Sequence, residues 1–265
     1  MNLEIISKLP STDTHKTPLL FVHGAWLGAW CWDVHFLDYF ASRGYPAHAV
    51  SLRGHGTSEG RERLRWHRIS DYVEDVAQAA QRLSCPPIVI GHSMGGLIVQ
   101  KYLEKHPAPA AVLLASVPPA GVLAPMLRIA RRHPLAFVKA NLTLSLLPVV
   151  STIPMVREMF FSGNLTDEFV QTYAAGLQDE SYAAFLDMLM LDLPSAGRVK
   201  TRTPMLVQGA AQDALFYPAQ VEATAQAHNT RADILPDTAH VIMLEPRWEA
   251  SAERIVNWLN AQNLQ

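Results

Sequence analysis

The chain has 265 residues, a near-average composition and a formal charge of −2, which fits one large domain or two small ones, one domain with an insertion being the expectation, and offers no basic patch for nucleic acid. Two cysteines, Cys31 and Cys85, make no disulfide framework, and no Cys/His cluster has the spacing of a zinc site. The opening Met1-Asn2-Leu3-Glu4 lacks a basic region followed by a long apolar core, so a cytoplasmic location is the expectation.

Taken in order, Leu3 to Lys8 alternates weakly and predicts an edge strand. Pro18 to Val22 is wholly apolar, like a strand buried on both faces, and runs into His23-Gly24-Ala25-Trp26. Cys31 to Arg43 predicts a helix stopped by Gly44. Ala47 to Leu52 predicts a strand entering Arg53-Gly54-His55-Gly56-Thr57-Ser58. Ile69 to Leu83 reads as a helix with Ser70 as its N-cap.

The next stretch, Pro87 to Gln100, is apolar and β-branched up to Gly91 and then takes on helical periodicity. Ser93 sits at the break, flanked by Gly91 and Gly95. A tight strand-turn-helix holds its apical residue in strained geometry and leaves no room for side chains two positions to either side. Such a turn projects a serine hydroxyl beside a helix N-terminus, where N–H groups favour a developing oxyanion. This is the G-x-S-x-G nucleophile elbow.

Its helix ends before Pro107, and Ala111 to Ala115 predicts another buried strand. The alternation of apolar strands with helices argues for an α/β fold: a mostly parallel central sheet with helices on both faces. From Gly121 to Gly197 the rhythm fails, leaving helical patterns at Val122 to Arg132, Thr166 to Leu177 and Ser181 to Leu191, separated by prolines. The expected organisation is a core of residues 1–120 and 198–265 with a helical insertion at 121–197. Within the insertion, Leu135 to Met155 is interrupted by Lys139, Asn141, Pro148 and Pro154, against the roughly twenty apolar residues a bilayer span needs. Thr203 to Gln208 and Arg231 to Leu235 then predict strands, and Ala219 to His228 and Trp248 to Ala261 helices.

A serine nucleophile needs a base, and the base an orienting carboxylate. In an open parallel sheet, functional residues gather at the carboxyl ends of strands. The loop after Thr203 to Gln208 has Asp213 as its one ionisable group, and the loop after Arg231 to Leu235 has His240 as its one imidazole. The chain order Ser93, Asp213, His240 is the order that accompanies this elbow. Asp237 is a rival carboxylate, close to His240 on the same loop. His23, His55 and His92 flank the region and read as structural.

Together, Phe21 to Trp26, Arg53 to Ser58, Gly91-His92-Ser93-Met94-Gly95-Gly96, Gly209 to Asp213 and Ala239-His240 resemble the α/β-hydrolase fold superfamily over nearly the whole chain outside the insertion. The resemblance implies oxyanion-binding N–H groups at Ala25 and Met94, and makes the insertion a cap domain. His-Gly-Ala-Trp with Gly28 to Trp32 is similar to plant methylesterases and hydroxynitrile lyases. Gly-His-Ser-Met-Gly-Gly is similar to monoacylglycerol lipases and carboxylesterases. Relatives that are epoxide hydrolases or dehalogenases carry an aspartate nucleophile, so Ser93 argues against both activities.

The expected function is hydrolysis of carboxylic esters through an acyl-enzyme, with no cofactor or metal. Other triad chemistry on the same fold stays open: C–C hydrolysis, perhydrolysis, or cyanohydrin cleavage with Lys139 or Lys200 in the pocket. A non-catalytic small-molecule receptor is a further alternative. The expected partner is a lipophilic small-molecule ester, because the insertion is rich in Met, Phe and Leu, including Met126, Leu127, Phe137, Leu142, Leu147, Phe185, Met188 and Met190. Interleaved Arg128, Arg131, Arg132 and Lys139 also admit contact between the cap and an anionic membrane surface.

Overall fold

A computed structural model describes residues 1–12, 15–199 and 202–262. Seven strands form one sheet: β1 (Ile5–Lys8), β2 (Leu19–Val22), β3 (Ala47–Val50), β4 (Ile88–His92), β5 (Ala111–Leu114), β6 (Met205–Ala210) and β7 (Ala232–Leu235). Their spatial order is β1-β3-β2-β4-β5-β6-β7. Only β1 runs antiparallel to its neighbour; every other pairing is parallel. The strands β2, β4, β5 and β6 are buried along their full length, while β1 and β7 are mostly half-buried. This is the pattern of a parallel sheet covered by helices on both faces, with the apolar runs at its centre.

Two local expectations are corrected. The helix expected over Cys31 to Arg43 is two pieces, Trp30–Asp33 and Phe36–Ser42. The break falls at His35, whose φ of −143° leaves the helical region while its ring stacks on Trp248 at 4.6 Å. That placement lets Trp32, Phe36 and Phe40 converge on Phe21 of β2. Ser70 is not the N-cap: it lies inside the helix Ile69–Gln81, whose cap is Arg68, two residues earlier. Carboxylates take the free amides there: Asp71 accepts from Arg68 N–H at 2.7 Å and Asp187 from Ile69 N–H at 3.0 Å.

Between β5 and β6 the described residues hold no strand. Helices occupy Leu123–Arg132, Pro134–Thr143, Ile153–Phe160, Asp167–Ala174 and Tyr182–Leu186. Two of these, Pro134–Thr143 and Ile153–Phe160, lie where the sequence predicts only breaks. The prolines open helical segments: Pro134 begins one helix, and Pro154 and Pro148 sit in the first turns of Ile153–Phe160 and Leu147–Val150. A missing N–H costs nothing at those positions, since the first amides of a helix have no partner within it. Thr166 and Ser181 cap the next two helices through their hydroxyls.

Candidate active site

Ser93 lies between β4 and the helix Met94–Leu103 with φ 52° and ψ −116°, a conformation that L-residues seldom adopt. Its surroundings over-determine that geometry. Ser93 N–H donates to Leu114 O at 3.0 Å, and Ser93 O accepts from Gly96 N–H and Val117 N–H at 3.0 Å each. A Cβ on Gly91 would stand 2.3 Å from Gly95 O, and one on Gly95 would stand 2.3 Å from Val22 O. The helix can pack this closely behind the serine only because both positions are bare.

The loops after β6 and β7 bring two more side chains to the same point. His240 Nε2 lies 2.9 Å from Ser93 Oγ, and His240 Nδ1 lies 2.8 Å from Asp213 Oδ2. A carboxylate only accepts, so Nδ1 carries the proton toward Asp213 and the Nε2 lone pair faces the serine hydroxyl. The other oxygen of Asp213 accepts from Leu215 N–H at 2.7 Å and Phe216 N–H at 3.0 Å. Ser93, Asp213 and His240 are all buried. The rival carboxylate is elsewhere: Asp237 pairs with Arg247 at 2.6 Å, and both side chains are exposed.

The three flanking histidines serve the loops. His92 Nε2–H donates to His240 O at 2.9 Å, and burial, then the nearby His240, holds its pKa well below the ordinary value. His23 accepts from Leu52 N–H at 3.0 Å and donates through Nδ1 to Gly24 O at 2.8 Å. Burial, then the neighbouring His55, pushes the His23 pKa down to about 3. Its neutral ring therefore orients the peptide group that carries Ala25 N–H. Ala25 and Met94 both line the cavity at Ser93.

The cavity is apolar. Met126, Phe137, Leu146, Phe185 and Met188 from the helical segment face Ser93 across it. Two polar side chains in its wall, Asn141 and Tyr182, satisfy each other at 2.7 Å. Other apolar residues of the segment point outward instead, with Leu127, Leu142, Leu147 and Met190 exposed. Lys139 is exposed and does not line the cavity; Lys200 lies outside the described residues. Among the described residues, no group of three or more His, Cys, Asp or Glu could hold a metal ion, and no helix is long and apolar enough to cross a membrane.

One buried acid escapes sequence reasoning. Glu180, from the segment between β5 and β6, has no exposure and meets His55 Nε2 at 3.1 Å and Tyr72 Oη at 2.9 Å. It belongs to no motif, and its side-chain partners His55 and Tyr72 lie more than a hundred positions away, so no local pattern marks it.

Comparison with known proteins agrees with this architecture. A family model described as the alpha/beta hydrolase family matches residues 19–253. A non-heme haloperoxidase of Rhodococcus erythropolis is 36% identical over 106 residues, which are 38% of this chain and 38% of that protein. The chain thus matches little more than a third of the length of such curated relatives. Among solved structures, an esterase from Exiguobacterium antarcticum superposes with a TM-score of 0.76 at 15% identity, covering 97% of this chain and 95% of that one. A monoacylglycerol lipase of Paleococcus ferrophilus gives 0.74 at 20% identity, covering 99% and 100%. At these identities the structures speak for the fold alone.

Proposed function

The chain belongs to the alpha/beta hydrolase family, and from that premise we propose that it hydrolyses carboxylic esters through an acyl-enzyme on Ser93. One observation carries the reading: His240 Nε2 stands within hydrogen-bond reach of Ser93 Oγ while its Nδ1–H is held by Asp213. In this scheme His240 takes the serine proton as Oγ attacks the ester carbonyl, and Asp213 fixes the tautomer and stabilises the imidazolium. The N–H groups of Ala25 and Met94 receive the oxyanion, a contribution of about a hundredfold to a thousandfold in rate per donor. His240 returns the proton to the leaving alcohol, and water then releases the acid by the same route. No cofactor enters the cycle.

Residues 121–197 form the cap in this reading. The apolar side chains it directs at Ser93 favour a lipophilic acyl group, each buried methylene adding up to about 0.8 kcal/mol. The test is turnover of a series of p-nitrophenyl esters together with stoichiometric labelling of Ser93 by a fluorophosphonate. Steady turnover with one label per chain supports the reading; saturable binding without product release would leave a receptor.

A second reaction at the same serine is favoured by the relatives named as haloperoxidases. Hydrogen peroxide in place of water would take the acyl group from Ser93 and leave as a peracid. Peracid formation from acetate and peroxide measures this directly.

The outer face of the cap suggests where lipophilic substrate is met. No Asp or Glu occurs between Glu104 and Glu158; Arg131 and Lys139 are exposed there, while Arg132 and Arg157 pair with Glu158 and Asp167 and Arg128 donates to Leu215 O. Leu135 and Leu142, seven positions apart on the helix Pro134–Thr143, are 86% and 80% exposed. Cationic and apolar side chains together fit an anionic lipid surface.

A further inference from the structure

We infer that Glu180 is a positioning residue that holds the backbone loop Gly24-Ala25-Trp26 in the shape required to bind the oxyanion. The inference rests on the ester-hydrolysis reading of Ser93 and extends it to a residue of the cap segment.

The buried carboxylate of Glu180 has four donors around it. Oε1 accepts from Tyr72 O–H at 2.9 Å and Ser181 N–H at 2.6 Å; Oε2 accepts from His55 Nε2–H at 3.1 Å and Trp26 N–H at 3.4 Å. The other ring nitrogen of His55 faces a second obligate acceptor, Arg53 O at 3.1 Å. With an acceptor at each nitrogen, His55 is doubly protonated, and a buried cation calls for a buried anion. The titration directions agree: burial is the largest single influence and opposes both charges, yet the partner's charge and the hydrogen bonds together outweigh it, raising His55 and lowering Glu180. His23, Tyr72 and Arg61 are the remaining titratable or charged groups that act on this pair.

The mechanical consequence falls on Trp26. Its φ of 64° is left-handed, an unfavourable setting for a residue with a large side chain. Contacts from the cap segment hold it there. Glu180 takes the N–H of Trp26, Gln178 N–H donates to Trp26 O at 3.0 Å, and Trp26 Nε1–H donates to Leu146 O at 3.3 Å. On the other side of Ala25, His23 holds Gly24 O at 2.8 Å. Both peptide groups that flank Ala25 are thereby fixed, one by His23 and one by Glu180. The ring of His23, 5.0 Å from that of His55, stays neutral beside the cation. Releasing Trp26 N–H lets the Ala25–Trp26 peptide rotate toward negative φ and carries Ala25 out of line.

The variant Glu180→Gln keeps the volume but removes the charge and cannot accept from all four donors. With rates expressed per fluorophosphonate-titrated Ser93, kcat for p-nitrophenyl butyrate is expected to fall about tenfold to a hundredfold, with KM nearly unchanged. Affinity for butylboronic acid, which forms a tetrahedral anion on the serine, should fall by a similar factor. A role confined to packing would lower the thermal midpoint and leave both quantities per titrated site intact; values within twofold of wild type overturn the inference. If the variant does not fold, amide exchange in the wild type decides. Trp26 N–H should be protected like a hydrogen-bonded core amide, and exchange at the rate of an exposed loop refutes its capture by Glu180. A wild type that turns over no ester defeats the functional reading instead, and leaves the exchange result standing on its own.

Discussion

His240 Nε2 stands 2.9 Å from Ser93 Oγ, although 147 positions separate them in the chain. The contact joins a turn held by close-packed glycines to a loop at the far side of the sheet, and it makes the first prediction sharp. Ser93→Ala should abolish ester turnover, with losses approaching the roughly million-fold typical of a missing triad serine. The thermal midpoint should be unchanged, since the removed hydroxyl opens no apolar void. Residual activity above about a hundredth of wild type would contradict the nucleophile assignment, the reference being that same loss.

The two candidate carboxylates separate cleanly. Asp213→Asn is expected to lower kcat by about ten-thousandfold, because the amide favours the wrong imidazole tautomer and cannot stabilise the cation. Asp237→Asn disturbs only an exposed pair with Arg247, of a kind worth roughly 0–1 kcal/mol to stability, and should leave kcat close to wild type. Steady-state kinetics on both variants give the ranking, and the reverse order would transfer the role to Asp237.

Much of this arrangement is legible in the chain because strands buried on both faces advertise themselves. Leu19 to Val22, Ile88 to Ile90 and Ala111 to Leu114 are apolar without a break, and their ends point to the loops that carry the candidate site residues. What escapes notice depends on distant partners. The helices Pro134–Thr143 and Ile153–Phe160 are hidden because proline reads as an interruption when it stands in a first turn. The break at His35 depends on Trp248, and the cap at Arg68 on carboxylates from Asp71 and Asp187. Glu180 is invisible for the same reason, since the side chains that match its carboxylate in the interior, His55 and Tyr72, are far away in sequence and its neighbour Ser181 adds only a backbone N–H.

Acyl-chain preference follows from the cavity wall. With Met126, Phe137, Leu146, Phe185 and Met188 opposite Ser93, p-nitrophenyl butyrate and hexanoate should exceed the acetate in kcat/KM. The gain should approach a few-fold per methylene, equivalent to up to about 0.8 kcal/mol each. Highest efficiency on acetate would show that the cap does not shape a lipophilic pocket.

Acid should destabilise the fold through histidines that burial keeps neutral, above all the fully buried His23 and His92, with His15, His35, His48 and His228 shifted in the same direction. Burial lowers both His23 and His92, so below the ordinary histidine value of about 6.5 the unfolded chain takes up protons that the native state refuses. A histidine with a depressed pKa thus costs stability as pH falls, at about 1.4 kcal/mol per pH unit for each ring. His55 has the opposite sign: its pKa is raised, so its contribution is complete below 6.5 and is lost as pH rises through the folded value. Urea unfolding between pH 6 and 5 should show a decline of at least the sum for these two rings, about 2–3 kcal/mol, reduced in His92→Asn. A flat profile would mean that neither ring is held neutral.

Sedimentation with lipid vesicles tests the outer face of the proposed cap. Binding to phosphatidylglycerol vesicles should exceed binding to phosphatidylcholine and weaken with salt, as screening of Arg131, Arg132 and Lys139 requires. Replacing Leu135 and Leu142, both highly exposed, with serine should reduce it further. Equal binding to both lipids would remove the membrane from the proposal.

The strands β5 and β6 are hydrogen-bonded neighbours, paired from Ala111 with Met205 to Leu114 with Gln208. Everything between them therefore leaves the sheet and returns to adjacent rungs of one ladder, so strand order is indifferent to the length and content of that excursion. On topology alone it is a transplantable module, open to exchange by recombination while the sheet keeps folding. Glu180 limits that freedom. A foreign segment lacking an acid at this point would leave His55 Nε2 without its acceptor, and the ring would have to give up its charge or stay unpaired in the interior. Any successful graft onto this core must either carry its own buried carboxylate to the same spot or arrive together with a change at His55.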